Sequence, residues 1–270
     1  MRNLLGDFID NRLLYGYAAD MKPDTILYAG DTSLTTAACY LAGILTHYGE
    51  KFDYIPSDKP IASALDNADK YDLFIISDYP AENFTQQDFQ RICDAVRAGA
   101  GLLMIGGWES FHGLLGEYND TPLAEILPVM IQSSDDRVQS HKPWAMIPVK
   151  NHPIFDELDF ANPPIVGGFN RISPKPDATE LMQLQQLNVE VTPAGATAAP
   201  GETASLLTVG EFGSGKVAAL ATDVAPHWVG TFVDWGTPRV SAHAPGAEAV
   251  EIGSLYAKFF HNLISWARSK

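Results

Sequence analysis

The sequence predicts an α/β protein built on a mostly parallel, doubly wound sheet. Three observations predict it. Apolar runs of strand length recur at 25–31, 52–55, 73–77 and 101–105. Apolar residues at helical spacing follow the first and third of these runs. Glycine, aspartate or proline stands where one pattern gives way to the next. Strands alternating with helices of this length imply βαβ crossovers.

Residues 25–31 (TILYAGD) read as a short buried strand. Leu34, Ala37, Ala38, Leu41, Leu45 and Tyr48 then recur with the period of a helix, and Gly49 stands where it would stop. Phe52–Ile55 is a second strand. Leu73–Ser77 is a third, bounded by Asp78 and Pro80. Thr85 and Asp88 have the spacing of a capping box, opening a helix whose apolar stripe is Phe89, Ile92, Cys93 and Val96; Gly99 closes it. Residues 101–105 (GLLMI) are the fourth strand and run into Gly106-Gly107.

The second half changes character. Residues 121–129 predict a short turn or helix stopped by Pro128, and a stretch rich in Pro, Gly and short apolar runs follows to about 190. Residues 191–205 (VTPAGATAAPGETAS) are small and turn-forming and read as an exposed loop. Ser205–Phe212 and Lys216–Thr222 predict a hairpin around Gly213-Ser214-Gly215. Leu255–Trp266 reads as an amphipathic helix with Leu255, Phe259, Leu263 and Trp266 on one face. There are no internal repeats. The alternation resumes near 205, so the expected organisation is a single domain over 1–270 with an elaborated middle from about 130 to 205.

The chain has 270 residues, 18 Lys and Arg against 33 Asp and Glu, and a formal charge of −15. With 46% hydrophobic and 19% charged residues it has an ordinary globular balance. The acidic excess argues against nucleic acid and against an anionic membrane surface as partners. No apolar run reaches the roughly 18 residues of a membrane helix. The start, MRNLLGDFIDNRLL, is broken by Asp7 and Asp10 and makes a poor secretory signal, so a cytoplasmic location is expected. Cys39 and Cys93 have neither metal-ligand spacing nor a disulfide framework, and no cofactor is implied.

In an open parallel sheet, ligands bind beyond the carboxyl ends of the strands. Four strand ends qualify here: Asp31-Thr32, Asp78-Tyr79, Gly106–His112 and Asp223–Trp228. The candidate ligand-binding residues are therefore Asp31, Asp78, Gly106, Gly107, Trp108, Ser110 and Trp228.

The segments GLLMIGGWESFHG and TPLAEILPV, with SLLTVGEFGSGKVAALATDVAPHW and the terminal FFHNLISWAR, resemble the class-I glutamine amidotransferase-like family, related to trehalose-utilisation-type proteins. The similarity spans most of 25–268 and is strongest at 101–129 and 205–235. It implies a flavodoxin-like three-layer sandwich. In glutaminases of this type a Cys on a sharp strand-to-helix turn is the nucleophile, a His after a later strand activates it, and backbone N–H groups hold the oxyanion. The resemblance sets the nucleophile position at Gly106 or Gly107, and neither carries a side chain that can attack. Cys93 lies on the apolar stripe of the preceding helix and Cys39 inside the first, so both are expected to be inert core residues.

What remains for chemistry is His227, similar in position to the glutaminase His, with Asp223 four residues earlier to orient it and Glu109 to assist. His227 and Trp228 could equally form a packed corner of the sheet. Ser110 sits in W-E-S-F-H, outside the G-x-S-x-G elbow, and bulky Trp108 and Phe111 would resist such a turn. Glu109, His112, Asp223 and His227 are metal-ligand types without a metal motif, so no metal is expected. Gly213-Ser214-Gly215-Lys216 lacks the phosphate-loop frame and reads as a hairpin turn. Trp228, Phe232 and Trp235 are core or pocket wall, and His47, His141, His152, His243 and His261 have no partner at useful spacing.

These readings lead to three expectations. One is an amidotransferase-like domain without glutaminase activity that binds a small polar ligand or a partner subunit at the strand-end cleft. Another is a hydrolase in which His227 and Asp223 activate water. A structural or oligomer-forming role, with 137–205 at an interface, is a third.

Overall fold

A computed structural model describes residues 24–268. The stretch read above as a poor secretory signal lies outside them. Four strands open the chain, β1 (Ile26–Gly30), β2 (Phe52–Ile55), β3 (Leu73–Ser77) and β4 (Gly101–Ile105), all within a residue or so of the predicted runs. They lie parallel in the order β2-β1-β3-β4. β1, β3 and β4 are buried along their whole length, which is why they read as unbroken apolar runs. β2, at the sheet edge, is half-buried throughout.

The first helix, α1 (Cys39–His47), begins five residues later than the apolar spacing predicts. Asp31 and Thr32 both take left-handed backbone angles, and the Ala38 N–H returns to the Asp31 carbonyl. That turn consumes residues 33–38 before a helix can propagate. A short α2 (Ala62–Leu65) follows β2. In α3 (Gln86–Ala98) both halves of the capping box form: the Asp88 N–H donates to the Thr85 hydroxyl, and the Thr85 N–H donates to the Asp88 carboxylate. Gly99, with φ +120°, ends it.

Beyond α4 (Pro122–Ile126) the chain adds β5 (Val129–Met130), β6 (Arg137–Pro148), β7 (Ile165–Asn170), β8 (Ser173–Pro174), β9 (Thr179–Thr192), β10 (Gly195–Phe212) and β11 (Gly215–Leu220). β11 pairs parallel with β4, and from it the sheet continues antiparallel as β10, β9, β6 and β7 to give nine strands. The predicted hairpin of 205–222 is the β10–β11 pair. Residues 191–205, expected as a loop, are instead paired strand. Leu187, Val189 and Val191 alternate with polar residues along β9 and face Pro200, Ala198 and Ala196 of β10, around a two-residue turn at Pro193-Ala194. Small, Pro- and Gly-containing sequence conceals this ribbon, because its pairing partner follows immediately and Pro200 falls at a register shift where no ladder donor is needed. Residues 188–200 are all exposed.

The chain closes with α5 (Pro226–Val229), the two-stranded pair β12 (Arg239–Ala242) and β13 (Val250–Gly253), and α6 (Ser254–Arg268). α6 packs on β4, β11 and α1. One apolar core runs through all of these elements, and Phe232 and Trp235 belong to it. No described helix is long and apolar enough to cross a membrane.

Candidate functional site

The carboxyl ends of β1, β3, β4 and β11 meet at one edge of the parallel half. A Cβ on Gly30 would fall 1.5 Å from the Ser77 carbonyl oxygen, so only glycine lets β1 and β3 close this tightly. The Asp31 N–H then reaches the Ser77 carbonyl at 3.0 Å. Asp31 (φ +53°) and Asp78 (φ +47°) both turn the chain through the left-handed region, which aspartate tolerates better than most residues. Asp31 is buried, and its Oδ2 accepts from the buried Tyr28 hydroxyl at 2.5 Å.

The segment after β4 is held from three sides. The Gly106 N–H donates to Leu220 and Thr222 carbonyls at the end of β11. Buried Asn170, at the end of β7, takes the Gly107 N–H on Oδ1 at 2.9 Å and returns its own Nδ2 to the Gly107 carbonyl at 3.1 Å and to Asp136 at 2.8 Å. Asp136 in turn accepts the His112 and Gly113 N–H groups. Ser110 is buried, and its Oγ accepts the Asp78 N–H at 2.9 Å. The Asp78 carboxylate accepts the Glu109 N–H at 2.5 Å. Phe111, expected to resist a sharp turn, itself sits at φ +53° with its ring in the core. Burying that ring outweighs the backbone cost of about 1–2 kcal/mol.

Neither glycine of the Gly106-Gly107 pair has room for a side chain. A Cβ on Gly106 would lie 2.3 Å from the Ala221 carbonyl oxygen, and one on Gly107 would lie 2.6 Å from Asp78 Oδ1 and 2.7 Å from its Cγ. The space a side chain on Gly107 would need is filled by the carboxyl group of Asp78.

After β11, buried Asp223 accepts the Val224 and Ala225 N–H groups on Oδ1. Its Oδ2 lies 3.2 Å from Nε2 of the half-exposed His227, outside hydrogen-bond alignment. Trp228 is buried against Gly168, where a Cβ would strike its ring at 2.5 Å. A cavity of about 480 Å³ opens beside them, with Trp108, Ser140, His141, Gly167, His227 and Trp228 in its wall. His141 was assigned no role from sequence because its neighbours arrive from β7 and α5.

Burial dominates the electrostatics. It pushes the Asp31 carboxyl up to about 8, with the charges of Asp78 and Glu109 adding to the rise. Asp223 is held well above the usual carboxylate range by burial and then by Asp31 and Asp78. Asp78 and Glu109 are also raised, chiefly by burial. Asp31 Oδ1 and Asp223 Oδ2 have no hydrogen-bond partner among the described residues. The strand ends thus form a crowded acidic cluster that retains protons isolated carboxylates would lose.

Of the sequence-predicted residues, Asp31, Asp78, Gly106, Gly107, Glu109, Ser110 and Asp223 fall in this cluster and its supporting loop, whereas Trp108, His227 and Trp228 line the cavity. Tyr28, Asp136 and Asn170 were not predicted; their only signal was polar residues at strand ends whose pairing the sequence does not disclose. Cys39 and Cys93 are buried, and burial pushes the Cys93 thiol up to about 11. No group of three or more His, Cys, Asp or Glu among the described residues is arranged to hold a metal ion.

Comparison with known proteins is consistent with this architecture. Cytoplasmic protein STM3548 from Salmonella typhimurium is 23% identical, with a TM-score of 0.69 over 90% of this chain and 98% of that one. Cytoplasmic protein STM1381 from Salmonella typhimurium LT2 is 24% identical, with a TM-score of 0.67 over 91% and 100%. A ThuA-like protein from Bacteroides uniformis is 12% identical, with a TM-score of 0.53 over 93% and 95%. At these identities the likeness is one of fold. No curated protein matches the chain. The model of the family described as "putative glutamine amidotransferase" matches residues 30–240, and the chain belongs to that family.

Proposed function

We propose that the chain is a glutamine amidotransferase-like domain of the flavodoxin-like type that has no glutaminase activity and binds a small polar ligand at the strand-end cleft, in the cytoplasm. One observation carries the reading: the Asp78 carboxyl stands where a nucleophile on Gly107 would stand, and it consumes the Glu109 N–H as acceptor. A glutaminase needs that space for its thiol and needs free N–H donors for the oxyanion. Neither cysteine substitutes, since both are buried elsewhere with raised thiol pKa values.

The test is ammonia release from glutamine by the wild-type chain and by Gly107→Cys. Both are expected to be inactive, and Gly107→Cys is expected to lose stability from its contact with Asp78. Glutamine-dependent ammonia release by the wild type would overturn the proposal.

A second reading has an observation of its own. His227 Nε2 lies 3.2 Å from the buried Asp223 carboxyl beside an open cavity, which brings a general base and an orienting acid within reach of each other although the two are not aligned as a hydrogen bond. A water-activating hydrolase would use that pair without a protein nucleophile.

A further inference from the structure

We propose that the cavity beside His227 seats a small organic oxyanion, a carboxylate or phosphate ester, with the rest of the molecule against Trp108. This rests on the reading of the strand-end cleft as a binding site and adds the place and the chemical class. Three features make the cavity a built site.

The first is the shape of β6. Gln139 pairs with Gly168 and Trp144 with Val166, so four residues of β6 face the single Gly167 of β7. This bulge carries Ser140 and His141 into the cavity wall, and bulges commonly re-aim side chains beside sites.

The second is the floor. Gly167 and Gly168 are adjacent but have opposite surroundings. A Cβ on Gly168 would collide with Trp228, whereas one on Gly167 would meet nothing closer than the Trp228 carbonyl oxygen at 3.8 Å. Gly168 is required for packing, whereas no close protein contact explains Gly167, which lines the cavity and adds no side chain to it.

The third is the chemistry of the wall. It presents the His141 and His227 imidazoles, the Ser140 hydroxyl and the Gln139 carboxamide, and no carboxylate, in a chain with 33 acidic residues against 18 basic. The Arg137 guanidinium lies 4.7 Å from the Trp108 ring centre at the rim. Trp228 Nε1 is a buried donor without a partner among the described residues. Asp135 pairs with Arg137 from outside, and Asp223 stands behind His227, buried and with its ionisation suppressed. A wall rich in donors and free of acidic groups matches a ligand rich in acceptors.

Phenyl phosphate, inorganic phosphate, phenyl glucoside and benzylamine are titrated into the wild type and into Gly167→Val and His141→Gln, by calorimetry and tryptophan fluorescence. Phenyl phosphate is expected to bind saturably and to quench fluorescence. Gly167→Val is expected to weaken it at least tenfold with an unchanged Tm, and His141→Gln by several-fold. If the glucoside or the amine binds as well and is lost in Gly167→Val, the oxyanion class is wrong while the cleft reading stands. If phosphate binding survives Gly167→Val, the anion sits elsewhere and the proposed site is wrong. If no probe binds at millimolar concentration, both the class and the cleft reading fall.

Discussion

Asn170 is the side chain on which the geometry of the β4 loop depends, and Asn170→Ala tests that role. The residue is fully buried and makes three bonds of ordinary length, from the Gly107 N–H, to the Gly107 carbonyl and to Asp136, with a longer fourth to the Ser110 carbonyl at 3.4 Å. Truncation orphans a buried N–H, which costs about 1–2 kcal/mol, and a carbonyl that costs somewhat less. Asp136 keeps its His112 and Gly113 donors but loses its side-chain one, a bond to a carboxylate of about 1.5–3 kcal/mol. The expected loss is about 3 kcal/mol, in the upper range for a single substitution. For a domain of this size that lowers Tm by about 6–12 °C. Urea unfolding followed by circular dichroism gives ΔΔG directly, and the tryptophan spectrum reports whether Trp108 moves. A loss below about 1 kcal/mol would refute the reasoning, since it would mean that water or a loop shift satisfies these groups as well as Asn170 does.

Three further outcomes are expected. Folding raises the Asp31 pKa from 3.8 to about 8, so the native chain holds a proton that the unfolded chain loses. The stability this contributes is complete below about pH 4 and is lost as pH climbs through 8. Asp31→Asn, which also suits the left-handed backbone, should therefore flatten the decline of the urea midpoint between pH 5 and pH 9; an unchanged slope would count against the buried acid. His227→Ala removes a half-exposed side chain and should change stability by less than about 1 kcal/mol, so any hydrolytic turnover it abolishes is lost through chemistry, and an equal loss of Tm would mark the residue as structural. Replacing 189–198 with Asn-Gly shortens an exposed ribbon and should leave Tm within a few degrees, whereas unfolding on shortening would show that the ribbon supports the core.

The parallel half was legible residue by residue. Leu73–Ser77 and 101–105 are buried on both faces, so each reads as an uninterrupted apolar run. The α3 helix announces both its ends through Thr85, Asp88 and Gly99. The antiparallel half was not legible in this way. β6 is broken by a four-residue bulge and β9 runs into solvent, so neither keeps one clean period. The same limit applied to the site. Asp31, Asp78 and Asp223 could be named from sequence because each follows a strand, whereas Asn170 could not, because its partners Gly107, Ser110 and Asp136 lie 63, 60 and 34 residues earlier.

By itself the sequence determined the α/β class, the strand ends at which polar groups collect, and the absence of a side chain at Gly106-Gly107. Those properties follow from local period and residue type. Only the tertiary structure decided what fills the space that Gly107 leaves. Asp78 arrives there from another strand, and the Gly107 Cβ that would displace it is excluded by 2.6 Å of distance rather than by any local rule. Close packing makes that decision: two groups about 30 residues apart compete for one volume, and the one present excludes the other.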